Sequence, residues 1–115
     1  MSEPSRGWIP SGVMELYQAE WCPHSHRVRQ RLTELGLDFV AHQVAVDPAE
    51  RTQLDRVSGQ RNIPALVLND GSFVSGDEEI IAALNRRFLE PPAAARHREK
   101  AIEEWSDWLR LASSR

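Results

Sequence analysis

The chain has 115 residues, 41% of them hydrophobic and 27% charged, with a formal net charge of −3; that suffices for one domain with one modest core and gives no general pull towards nucleic acid or acidic lipid. Its apolar runs are only a few residues, far short of a bilayer span, and residues 1–6 lack the apolar stretch of a signal peptide, so a cytoplasmic protein with neither nucleic-acid nor membrane partners is expected. A single cysteine, Cys22, excludes an internal disulfide framework and a Cys-rich zinc module, and any redox partner of Cys22 must come from outside the chain.

Residues 1–12 mix Ser, Pro, Gly and charge around the isolated pair Trp8 and Ile9, and read as a flexible tail with that pair as its anchor. Residues 13–18 alternate with period two, which predicts a strand running directly into Ala-Glu-Trp-Cys-Pro at 19–23. From 23 to 35, Val28, Leu32 and Leu35 recur at helical spacing, Pro23 suits the first helical position and Gly36 the stop. A second strand is expected over 38–44. Asp47 and Pro48 then supply a cap and a first-turn proline for a short helix carrying Leu54 and Val57 and ended by Gly59.

Residues 63–68 and 72–75 flank Asn69-Asp70-Gly71, a hairpin signal. Asp77 is expected to cap a helix whose buried stripe is Ile80, Ile81, Leu84 and Phe88, before Pro91 and Pro92 interrupt the chain. The order βαβα followed by ββα requires a parallel crossover and then a hairpin. It is the order of an α/β, thioredoxin-like fold with a four-stranded mixed sheet, placed here over residues 13–90. An additional C-terminal helix is expected over 93–112, with Ile102, Trp105, Trp108, Leu109 and Ala112 near one face, docking its aromatics on the domain.

By itself a lone cysteine reads as a small buried hydrophobe. Cys22, however, falls outside the apolar stripe of its helix and stands one residue before its start. Unpaired N–H groups and the dipole at a helix N-terminus stabilise a thiolate, the nucleophilic form. Pro23 fixes the first turn, leaving the N–H groups of His24 and Ser25 aimed towards sulfur, and the Ser25 hydroxyl is a further donor. Trp21 and His24, flanking Cys22, are expected to line the thiol groove.

Residues 17–25, Tyr-Gln-Ala-Glu-Trp-Cys-Pro-His-Ser, resemble the active-site segment of glutaredoxins, where the pattern is Cys-Pro-x-Cys or Cys-Pro-x-Ser. Residues 58–64, Ser-Gly-Gln-Arg-Asn-Ile-Pro, resemble the segment Thr-Gly-Gln-Arg-Thr-Val-Pro of the same family. Residues 22–29 are also similar to the start of the cysteine-type glutathione transferases, omega-like and dehydroascorbate-reductase-like, and together the resemblance covers about residues 13–89. It implies that Cys22 is the nucleophile with Pro23 and Ser25 beside it. It also implies that Pro64 is cis and, with Ile63, offers a backbone platform to the peptide part of glutathione. Gly76, Asp77 and Glu78 would receive the γ-glutamyl end.

Three departures from those families stand out. Ala19 replaces a lysine that in many glutaredoxins pairs with a glutathione carboxylate, and Arg61 or Gln60 is the substitute at hand. Gly76 replaces the acid that transferases usually carry before the capping residue, so the γ-glutamyl amine needs Asp77 or Glu78. The all-helical second domain of a transferase is not expected here, apart from a helix like its beginning.

With Ser25 in place of a resolving cysteine, the expected activity is that of a monothiol thiol–disulfide oxidoreductase. It would use glutathione or another low-molecular-weight thiol as co-substrate, with no bound cofactor and with glutathionylated proteins as further partners. The alternative is a non-catalytic module of the transferase N-terminal type that binds a thiol, an iron–sulfur cluster or a partner protein; cluster-binding monothiol relatives typically show Cys-Gly-Phe-Ser, unlike Cys22-Pro-His-Ser25. His24, His26, His42 and His97 are scattered over different elements, so no metal site is expected. Arg27, Arg29 and Arg31 read as a solvated helix face, and a monomer or weak dimer is expected.

Overall fold

The computed structural model describes residues 12–113, so the tail residues Trp8 and Ile9 lie outside the described residues. Strand β1 (Met14–Gln18) leads into helix α1 (Pro23–Glu34), then strand β2 (Phe39–Gln43). A 3-10 turn (Pro48–Glu50) and helix α2 (Thr52–Ser58) precede strands β3 (Ala65–Val67) and β4 (Phe73–Ser75), helix α3 (Asp77–Arg87) and helix α4 (Ala94–Ser113). The sheet order is β2-β1-β3-β4. Strand β1 runs parallel to β2 and antiparallel to β3, and β3 and β4 form the antiparallel hairpin. This is the thioredoxin-like, four-stranded mixed sheet that the element order called for, with the additional C-terminal helix.

Every residue of β1 is buried, because both faces of the sheet are covered. Met14 and Leu16 pack with Val28, Leu32 and Leu35 of the α1 segment, with Leu66 and Leu68, and with Ile80, Ala83 and Leu84 of α3. On the opposite face Tyr17 packs with Leu54 of α2, Ala65 and Val67. Glu15 shares strand parity with Tyr17 and is buried too; its Oε1 lies 2.9 Å from Nε2 of His42, whose ring stacks on Tyr17 at 4.6 Å. The contact gives both buried side chains a polar partner, as buried polar groups require.

The structure corrects the sequence reading at several places, each time through a contact distant in sequence. The helix expected from Asp47 is broken in two. Asp47 Oδ1 accepts from the Ala49 N–H at 2.9 Å and caps only the 3-10 turn. Arg51 then turns inward and donates to the carbonyls of Ala45 (2.8 Å), Val46 (3.1 Å) and Arg61 (2.9 Å), so the chain bends before α2 starts. Asp77 does not cap α3: the N-cap is Gly76, at φ 92°, a conformation that suits glycine, and Asp77 is the first helical residue. The buried stripe of α3 is Ile80, Ala83 and Leu84, while Ile81 is half-buried and Phe88 forms the extended C-cap, half-buried against the core. Of the three arginines of α1, Arg27 is exposed as the solvated-face reading expects, whereas Arg29 and Arg31 are partly buried, and all three hold acidic partners. Arg27 pairs with Asp77, Arg29 with Glu20, and Arg31 with Glu34 and Glu90.

Helix α4 docks by its N-terminal part, from Ala94 to Trp105. Ala94 is fully buried, Arg98 donates to Glu90 (2.7 Å) and Glu34 (3.2 Å), and Gln30 Nε2 of α1 reaches the His97 carbonyl. Further along, Ile102, Trp108, Leu109 and Leu111 remain more than half exposed. The expected docking of the aromatic face is therefore confined to Trp105, whose ring meets His26 edge-on at 4.2 Å.

Hydrogen bonds from Arg98, then from Arg31, hold the Glu90 carboxyl down at about 2. A carboxyl lowered by folding contributes stability that is complete above its ordinary value of 4.5 and is lost as pH falls through its folded value. The Glu90 carboxyl carbon, followed by NMR, should titrate near pH 2 in the native chain. In Arg98→Ala its midpoint should rise towards the ordinary value of 4.5.

Candidate functional site

The site begins where β1 ends. The Cys22 N–H donates to the Ala19 carbonyl at 3.1 Å, closing a tight turn between strand and helix, and the His26 N–H returns to the Cys22 carbonyl at 3.0 Å. Cys22 is thus the N-cap of α1, in extended geometry, with Pro23 at the first helical position. Its Sγ accepts the Ser25 N–H at 3.4 Å, the bond that an oxygen of Ser or Asp makes at an ordinary N-cap. A sulfur anion accepts such a bond more strongly than a neutral thiol. Ser25 itself is fully buried, and its hydroxyl oxygen accepts the Ala19 N–H at 3.4 Å, so the serine secures the turn that carries the cysteine.

Two further segments frame this helix end. The Ile63–Pro64 peptide bond is cis, and the Pro64 carbonyl accepts the Gly76 N–H at 2.9 Å, which ties the proline to the start of α3. At that start Asp77 Oδ2 receives Arg27 at 2.6 Å and lies 3.1 Å from His24 Nδ1, joining the first turns of α1 and α3. Burial pushes the Asp77 carboxyl up, but the hydrogen bonds from His24 and Arg27 outweigh it and leave the group below its usual range. Glu78 is exposed beside it.

The remaining sequence candidates lie differently. Arg61 is committed to α2 and the turn before it: its guanidinium pairs with Asp55 at 3.0 Å and donates to the Ala49 carbonyl. Gln60 bonds to Ser58, to the Asn62 carbonyl and to the Asn62 N–H, and its Oε1 accepts from the Ser75 hydroxyl of β4 at 3.5 Å. Both side chains thus already hold partners within the protein.

Sequence reasoning missed one feature. Trp21, Cys22 and Pro23, with His26 from the next turn of α1, line a cleft of about 540 Å³ together with Glu20 and with Trp105 and Trp108 of α4. His26 follows Cys22 by four residues, the spacing that stacks side chains on one helix face, and this was the available signal. Nothing local could place α4 over it. Burial lowers the affinity of His26 for a proton, the nearby Arg29 adds to this and Glu20 opposes it, so the net shift is downwards.

Comparison with known proteins agrees with this geometry. The family model described as Glutaredoxin matches residues 14–74. The chain is 27% identical over 78 residues to Glutaredoxin 3 of Escherichia coli strain K12, a match spanning 68% of this chain and 93% of that protein. Among solved structures, a diazinon-metabolizing glutathione S-transferase of the silkworm Bombyx mori superposes with a TM-score of 0.57 at 26% identity, over 65% of this chain and 38% of that one. A glutathione S-transferase domain-containing protein of Marinobacter aquaeolei VT8 gives a TM-score of 0.56 at 27% identity, over 67% and 40%. The chain thus covers well under two thirds of these transferases and nearly the whole of the small bacterial protein. With a strand-to-helix cysteine, a cis-proline bonded to the start of α3 and a family match across more than half its length, the chain belongs to the glutaredoxin family.

Proposed function

We propose that this protein is a monothiol thiol–disulfide oxidoreductase that uses glutathione or a related low-molecular-weight thiol. The observation that carries the reading is the Ser25 N–H held on Cys22 Sγ at the N-terminus of α1. In the first step the Cys22 thiolate attacks the glutathione sulfur of a mixed disulfide. A Cys22–glutathione disulfide forms, the S–S bonding pair leaves with the other thiol, and that thiolate takes a proton from water. A second glutathione thiolate then attacks the glutathione sulfur on Cys22, giving glutathione disulfide and regenerating the Cys22 thiolate. Cys22 is the only cysteine in the sequence, so the resetting thiol comes from solution.

In this reading the Ile63 backbone beside cis-Pro64 orders the peptide part of the thiol, and Gly76, Asp77 and Glu78 at the start of α3 face its γ-glutamyl end. Asp77 already holds Arg27 and His24, so an incoming ammonium exchanges with those partners rather than meeting a free carboxylate. A second reading, supported by the fold likeness to glutathione S-transferases, is a binding module in which the thiol is held without turnover.

Glutathione-dependent reduction of a glutathione mixed disulfide separates the two. Wild-type turnover that disappears in Cys22→Ser supports the oxidoreductase, while no wild-type turnover supports the module. Ser25→Ala removes the acceptor of the buried Ala19 N–H and should lower unfolding stability by about 1–3 kcal/mol in urea titrations, while retaining Cys22-dependent turnover at a reduced rate.

A further inference from the structure

We propose that Gln60 is a positioning residue: its side-chain amide holds the Asn62–Ile63 peptide group, and through it the Ile63 backbone, in the orientation that receives the peptide part of the thiol. A primary amide has two N–H donors and an oxygen with two lone pairs. Gln60 uses all four. Its Oε1 accepts the Asn62 N–H at 2.8 Å and the Ser75 hydroxyl at 3.5 Å, while Nε2 donates to the Asn62 carbonyl at 3.2 Å and to Ser58 Oγ at 3.3 Å. The two bonds to Asn62 also fix which way the amide faces, since one backbone group needs an acceptor and the other a donor.

Each partner belongs to a segment that borders the Ile63 backbone. Ser58 is the last residue of α2, and its hydroxyl is tied to the Leu54 carbonyl at 2.7 Å. Ser75 ends β4, and the Gly76 N–H that follows it is bonded to the Pro64 carbonyl at 2.9 Å. Asn62 is the residue before Ile63. Its carbonyl and the Ile63 N–H share one planar peptide group, so the Gln60 bond to that carbonyl also sets the direction of the Ile63 N–H. Asn62 is exposed, and without the amide its backbone groups would turn to water. A backbone donor that turns freely must be ordered when a ligand binds, which weakens affinity; Gln60 orders it beforehand. That the thiol meets the Ile63 backbone rests on the reading proposed above; the brace of Gln60 on Asn62 does not.

The test uses Gln60→Met, which keeps the length of the side chain and removes all four bonds, and Gln60→Glu, which keeps an acceptor for the Asn62 N–H and loses the donor to the carbonyl. For reduction of a glutathione–cysteine mixed disulfide, kcat/KM should fall about tenfold in Gln60→Met and about threefold in Gln60→Glu. Alkylation of Cys22 by iodoacetamide, which carries no γ-glutamyl or glycyl arm, should stay within about twofold of wild type in both. A Gln60→Met chain with unchanged kcat/KM overturns the inference, as does a fall matched by an equal loss of alkylation rate, because the damage then lies at Cys22. Glutathione binding, followed by NMR titration, separates this inference from the oxidoreductase reading. A wild type that binds glutathione without turnover retires that reading, and a Kd raised about tenfold in Gln60→Met then upholds the inference. An unchanged Kd overturns it, and a wild type with neither binding nor turnover overturns both.

Discussion

The first turn of α1 needs an acceptor for its free N–H groups, and in this chain the acceptor is a sulfur atom. A serine or aspartate oxygen would satisfy the Ser25 N–H well, whereas a neutral thiol is a weak acceptor. The cap is thus made by the residue that is also the candidate nucleophile. Other features of the site keep this arrangement in place. The Cys22 N–H is used by Ala19, the Ala19 N–H by Ser25, and Pro23 supplies a fixed first-turn geometry without a donor of its own. Replacing the sulfur would alter the helix start and the chemistry together.

Local rules carried the sequence reading far where both partners of a contact lie close in the chain. The strand at β1, the start of α1 at Pro23, the glycine that ends α2 and the Asn-Asp-Gly hairpin each follow from a few neighbouring residues. The departures arise where a distant group intervenes. Asp77 has the chemistry of a cap, yet its carboxylate is drawn across to Arg27 and His24, and Gly76 takes the cap position. Arg51 looks like an ordinary helical residue, but three carbonyls from two loops turn its side chain inward and bend the chain. The candidate site divides in the same way. Cys22, Ser25 and the cis-proline were legible through motif and resemblance. The cleft was not, since it requires α4 to return over α1, and no residue near Cys22 encodes that path.

Charge is distributed with a purpose that the net value of −3 conceals. The Glu15–His42 pair sits between sheet strands beneath α2, Arg51 holds the loop that leads to cis-Pro64, and Asp77 links two helix starts. Each of these polar contacts fixes the position of backbone around the site, while the apolar clusters on either face of the sheet supply most of the burial. Around Cys22 itself the walls are mainly aromatic. A polar frame thus surrounds a largely apolar cleft.

Helix α4 is joined to this frame in a different manner from the sheet. Besides the burial of Ala94, its base is fastened by Glu90 and Arg98, both well exposed, with Glu34 as the buried member. Coulombic contacts between exposed groups are weakened by dissolved ions, with a screening length of about 8 Å at physiological ionic strength. Apolar burial within the sheet is not weakened in that way. The two sides of the Cys22 cleft therefore answer to different variables of the medium. The side formed by α1 stays fixed with the core, and the tryptophan side is held more loosely as electrolyte concentration rises.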